Sequence, residues 1–91
     1  MEQDYGKAAE WYEKAVSEDN PFAVYALGSL YRRGQGVEQN DEKAYELYCV
    51  AAEHTEKPNA YAAYELGRMC RDGIGTAPDK AASEAWYRQA Y

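Results

Sequence analysis

Along the chain, stretches with helical spacing of small and apolar side chains alternate with polar breaks marked by glycine, asparagine or aspartate. Within residues 20–36 these side chains fall at Ala23, Leu27, Leu30, Tyr31 and Gly34, and within 40–52 at Ala44, Leu47, Tyr48 and Ala51. That recurrence lines one face of an α-helix. Start signals agree with it: Asn20 before Pro21 reads as an N-cap followed by proline at the first helical position. Asp4, Asn40 and Asp79 hold equivalent capping positions. Gly34 and Gly73 stand where a helix end favours a left-handed residue, and Gly36 and Gly75 allow a tight turn just beyond. The pattern therefore predicts five helices, at 4–17, 20–34, 40–54, 59–73 and 79–90. Links of about five residues join antiparallel neighbours. No segment alternates with period two, so a sheet is not expected.

The helices repeat. NPFAVYALGSLYRRGQG at 20–36 returns as NAYAAYELGRMCRDGIG at 59–75, an offset of 39 that pairs Tyr25 with Tyr64, Leu27 with Leu66 and Gly28 with Gly67. A second unit occurs three times, as KAAEWYEKAV, KAYELYCVAA and AASEAWYRQAY. Anchoring it on Tyr12, Tyr48 and Tyr87 gives offsets of 36 and 39. One linker, EHTEKP at 53–58, is three residues longer than its counterpart Ser17-Glu18-Asp19, so the underlying period is 36. Repetition at that period is the mark of an α-solenoid.

The pattern A-x-x-x-L-G-x-x-Y-x-x-G-x-G-V, followed by D-x-x-K-A-x-x-W-Y-x-K-A, resembles the Sel-1-like repeat, a relative of the tetratricopeptide repeat. It is carried by Ala23, Leu27, Gly28, Tyr31, Gly34, Gly36 and Val37, then Lys43, Ala44, Leu47, Tyr48 and Ala51. Lys7, Ala8, Trp11, Tyr12, Lys14 and Ala15 carry its second half alone. The resemblance implies an all-α fold, an α/α right-handed solenoid of antiparallel helix pairs with about two and a half repeats. Residues 1–91 then form one repeat domain or part of a longer array, with 4–17 an orphan second helix, 20–54 one repeat and 59–90 another. Cys70, Thr76, Ala82 and Ser83 depart from the pattern, which makes the last repeat degenerate on one side. Some secreted members staple each repeat with a disulfide. The matching positions fall near Ala52 and Ala62, where no cysteine is close, so that subgroup is not expected. Trp11, Tyr12, Trp86 and Tyr91 leave both ends without a polar cap, which predicts a neighbouring repeat or self-association there.

Composition qualifies the picture. Hydrophobic residues make up 46% of the chain, yet Ala supplies 16 of them and Tyr 10, while Leu, Ile, Val and Phe together number ten. With a net charge of -6 this would suit a disordered chain. Placement of the alanines and tyrosines at one period argues instead for a thin core of small residues and rings. The acidic balance disfavours nucleic-acid partners. No apolar run is long enough to cross a membrane and no leader is visible at the start, so a cytoplasmic location is expected. Cys49 and Cys70 lack metal or disulfide-framework spacing and read as reduced, buried thiols.

Candidate chemistry is sparse. Gly28 and Gly67 lie mid-helix, where recurrence points to close helix approach. The G-x-G turns follow helices rather than strands and lack G-K-[ST], which disfavours phosphate binding. His54 is the only histidine and sits in a polar linker. Its pairing with Cys49 gives poor geometry for a nucleophile and base. No catalytic residue, cofactor or metal is therefore expected.

A binding surface remains. In tetratricopeptide-like repeats the first helix of each pair lines the concave face. Its stripe here is Phe22, Tyr25, Ser29 and Arg32, with the counterpart Tyr61, Tyr64, Arg68 and Arg71. Four of the five arginines lie on these two helices, against only Glu65 and Asp72. Tyr and Arg anchor interfaces by ring burial and by bidentate pairing with carboxylates. The stripe either binds an acidic protein or peptide, or packs between repeats while its arginines form surface ion pairs. The expected function is a non-catalytic adaptor, a role that the resemblance places commonly in bacteria. The alternative is a module that spaces or dimerises a larger protein.

Overall fold

A computed structural model describes residues 5–16, 20–54 and 58–90, and these form five helices with no strand among them. They are α1 (Tyr5–Val16), α2 (Pro21–Arg33), α3 (Asp41–Ala52), α4 (Ala60–Asp72) and α5 (Lys80–Ala90). Capping chemistry sets the boundaries. The Asn20 side chain accepts from the amides of Phe22 and Ala23, Asn40 from Lys43, Asn59 from Ala62 and Asp79 from Ala82. Each bond satisfies an amide left over at a helix start and is worth about 1 kcal/mol. Asp4, expected to cap the first helix, lies outside the described residues.

Among the described residues the chain reverses three times through the same device. The capping residue donates its own amide back to the previous helix: Asn40 to Tyr31, Asn59 to Ala51 and Asp79 to Cys70, at 3.0, 3.0 and 2.8 Å. Gly34 and Gly73 close α2 and α4 with φ of 66° and 71°, where only glycine is free of strain.

Successive helices pack as neighbours in a body of 40 × 28 × 21 Å, the α/α-solenoid that the repeat pattern predicts. Its main core gathers Val24, Ala44, Tyr48, Ala51, Ala52, Ala62, Ala63, Leu66 and Met69. A second cluster joins α1 to α2 through Ala9, Leu27 and Leu30. Alanine brings the backbones together, and one ring then fills each crossing. A Cβ built on Gly28 would lie 3.0 Å from the Tyr48 ring, and one on Gly67 only 2.7 Å from the Tyr87 ring.

The tyrosines of the repeat pattern are not equivalent. Tyr48 is 2% exposed because α3 is covered by α2 on one side and α4 on the other. Tyr12, Tyr31 and Tyr87 are half-buried. Ser83, read from sequence as a lapse of the pattern, is instead a packing element. It takes the place of Ala44 in the following pair, is 3% exposed, and donates its hydroxyl to the Gly67 carbonyl at 2.7 Å. Gln89 ties α5 to α3 by donating from Nε2 to the Ala52 carbonyl at 2.7 Å, at a helix end that lacks intrahelical partners.

Candidate functional site

Helices α2 and α4 both pack on α3, and their Tyr25 and Tyr61 rings meet with centroids 6.0 Å apart. Between them lies a hollow of about 230 Å³ lined by Tyr25, Ser29, Arg32, Arg33, Tyr48, Glu65 and Arg68. Four of the eight stripe residues thus meet in one place: Tyr25, Ser29, Arg32 and Arg68. Phe22 and Tyr61 are not in the lining but lie against Tyr25, with ring centroids 6.5 and 6.0 Å from it, and make an aromatic rim beside the hollow. They are 61% and 71% exposed. Tyr64 and Arg71 stand outside the lining. Tyr64 packs on Tyr87 at 5.6 Å, and Arg71 holds its sequence neighbour Asp72 through two hydrogen bonds of 3.0 and 3.2 Å. That pairing keeps the Asp72 carboxyl below its ordinary range.

Hydrogen bonds build the floor. The Ser29 hydroxyl donates to the Tyr25 carbonyl at 3.2 Å, so the Tyr48 hydroxyl, 3.0 Å away, is the donor to Ser29. Burial pushes the Tyr48 hydroxyl above the usual tyrosine range, which keeps that proton in place. The Tyr48 ring meets Tyr25 at 5.6 Å, so one side chain belongs both to the core and to the site. Arg32 pairs with Asp41 at 3.5 Å without a formed hydrogen bond, leaving Asp41 Oδ1 with no hydrogen-bond donor. Arg68 pairs with Glu65 at 3.7 Å, one turn away on the same helix. Arg33 is exposed and makes no ion pair among the described residues.

Sequence reasoning placed Tyr48 in the core only, and left Arg33 and Glu65 off the stripe. The signal for Glu65 was the 36-residue period. Across the groove Tyr25 faces Tyr61, and Ser29 and Arg32 share a lining with Glu65 and Arg68, all 36 residues apart. The 39-residue offset pairs equivalent positions in successive repeats, which are not the positions that face each other.

The thiols offer little reactivity. Cys49 and Cys70 are free; Cys70 is buried, but Cys49 is half-buried rather than fully enclosed as expected. Burial pushes the Cys49 thiol up to about 11 and the adjoining Tyr45 hydroxyl up to about 12. Cys49 is therefore a neutral thiol at physiological pH, whereas the nucleophile is the thiolate. Among the described residues no group of three His, Cys, Asp or Glu side chains could hold a metal, and no helix is long and apolar enough to cross a membrane.

The sequence model of the Sel1 repeat matches residues 1–20, 21–55 and 60–91. The chain belongs to the Sel1-repeat family. A Sel1 repeat protein from Oxalobacter formigenes has a solved structure that superimposes with a TM-score of 0.89 at 32% identity, over 99% of this chain and 36% of that one. An uncharacterized protein of Neisseria meningitidis serogroup B is 34% identical over 84 residues, 92% of this chain and 17% of that protein. A chitin synthase regulator of Malassezia restricta is 36% identical over 90 residues, 97% of this chain and 6% of its own length. The chain thus spans a small fraction of the curated relatives it matches. Sel1 repeats generally mediate protein–protein interaction and form a generally non-catalytic scaffold.

Proposed function

We propose that this chain is a non-catalytic interaction scaffold that takes an acidic peptide or protein segment in the groove between α2 and α4. One observation carries the reading: Arg32, Arg33 and Arg68 line one hollow with Glu65, and Asp41 pairs with Arg32 beside it, so three guanidinium groups meet two carboxylates within a chain of net charge -6. Guanidinium groups pair with carboxylates in bidentate geometry, and a concentration of cations against the sign of the whole molecule steers acidic partners to that face. A labelled Glu-rich peptide tests it by fluorescence anisotropy at low ionic strength. Arg33→Glu combined with Arg68→Glu should weaken binding about tenfold or more, with a loss that shrinks as salt is raised. Arg88→Glu, on exposed α5 surface, should change little. Equal affinity for wild type and the double variant would remove the groove from the account.

A second reading is favoured by the opposite end of the fold. Trp11 on α1 is 75% exposed and, with Glu10, Lys14 and Ala15, lines a shallow hollow of about 470 Å³. Its counterparts Leu47 and Trp86 are half-buried against the core. On this reading α1 is a self-association surface that dimerises or spaces a larger protein. Sedimentation velocity at micromolar concentration should then show a dimer that Trp11→Ser converts to monomer. A wild-type monomer would dismiss it.

A further inference from the structure

The groove has two chemically different ends at a fixed separation. Phe22, Tyr25 and Tyr61 gather at the N-terminal ends of α2 and α4, and Arg32 and Arg68 stand further along the same helices. Tyr25 to Arg32 and Tyr61 to Arg68 are both seven residues, about 10 Å of helical rise. Helical side chains all lean toward the N-terminus, so rings and guanidinium groups shift together and the separation is kept. A partner segment in the extended polyproline-II conformation rises about 3.1 Å per residue with three residues per turn, so side chains three residues apart share a face and span about 9 Å, close to the separation of the two ends.

We infer that the groove reads a two-part signal: an extended partner segment bearing an apolar side chain on the Phe22–Tyr25–Tyr61 rim and a carboxylate three residues away against Arg32 and Arg68. This rests on the groove reading above and adds its spacing rule. The rim supplies exposed ring surface, and an apolar side chain covering it removes that surface from water. The cationic end supplies charge complementarity. Glu65 acts as an internal competitor, because it already pairs with Arg68 at 3.7 Å and repels an incoming carboxylate.

The spacing is read with labelled Gly/Ser peptides carrying one Phe and one Glu separated by zero to six residues, titrated with the wild-type chain and with Glu65→Gln. Affinity should peak at two intervening residues and fall about tenfold at the shortest and longest separations. Glu65→Gln should tighten the Phe/Glu peptides severalfold and leave peptides with Gln in place of Glu unchanged. Binding that is equal at all separations, or indifferent to Glu65→Gln, overturns the two-part signal while leaving an acid-binding groove in place. No binding by any peptide to either protein overturns the groove reading itself.

Discussion

Replacing Gly67 by valine is expected to lower the melting temperature by roughly 10–20 °C, read by circular dichroism at 222 nm. Two effects of opposite sign compete at this position. Glycine within a helix costs about 1 kcal/mol relative to alanine, so any side chain recovers part of that. Against it stands the Tyr87 ring, 2.7 Å from where a Cβ would sit. The ring must shift to make room, and it already packs on Tyr64 at 5.6 Å. Valine recovers little propensity because it is β-branched, and it adds two methyl groups beyond the colliding Cβ. Overpacking of about 3 kcal/mol then decides the outcome. Gly28→Ala is the contrast. Its Cβ would lie 3.0 Å from the Tyr48 ring, close enough to cancel the propensity gain but not to exceed it by much, so a change within about 1 kcal/mol is expected. A Gly67→Val variant that melts with the wild type, or a Gly28→Ala variant that falls further than it, would mean that these glycines do not mark the close crossings.

The same two glycines show why the fold was legible in the sequence. Their recurrence at one offset marks a repeated helix contact, and the capping asparagines and the glycine stops act within a turn or two of chain, so local spacing carries them. Asn20 and Asn40 cap as their positions suggest, and the helix limits differ from expectation by one or two residues because the capping residues stand just outside the helices. Features that depend on which element lies opposite were harder to read. Ser83 looked like a defect because its partner, the Gly67 carbonyl, lies on another helix sixteen residues away. Tyr12 and Tyr87 matched Tyr48 in sequence yet differ from it in burial, since among the described helices α3 alone has a helix pair on both sides. In the groove, periodicity along each helix found Tyr25, Ser29, Arg32 and Arg68. It also grouped Tyr64 and Arg71 with them, although the one packs on Tyr87 and the other folds onto Asp72. Which stripe residues enter the groove depends on what lies opposite each of them, and spacing along a single helix does not carry that.

Tyr48→Ala is expected to leave the chain largely unfolded at room temperature. The ring is 2% exposed, closes over Gly28 and packs at a tilt on Tyr25, so its removal opens a large cavity where three helices meet. Loss of a buried aromatic side chain costs about 3–5 kcal/mol, and a domain of this length holds little more than about 5 kcal/mol in total. The hydroxyl contributes separately. Tyr48→Phe keeps the ring and loses one hydrogen bond to Ser29, for about 1 kcal/mol, so this variant should stay folded with a melting temperature lowered by about 4–8 °C. The pair of variants therefore separates packing from hydrogen bonding at one side chain. Urea unfolding followed by far-ultraviolet circular dichroism distinguishes them, with a cooperative transition for Tyr48→Phe and none for Tyr48→Ala. If Tyr48→Ala unfolds cooperatively near the wild-type midpoint, the ring is not the keystone of α3, and the core rests on the alanine contacts alone.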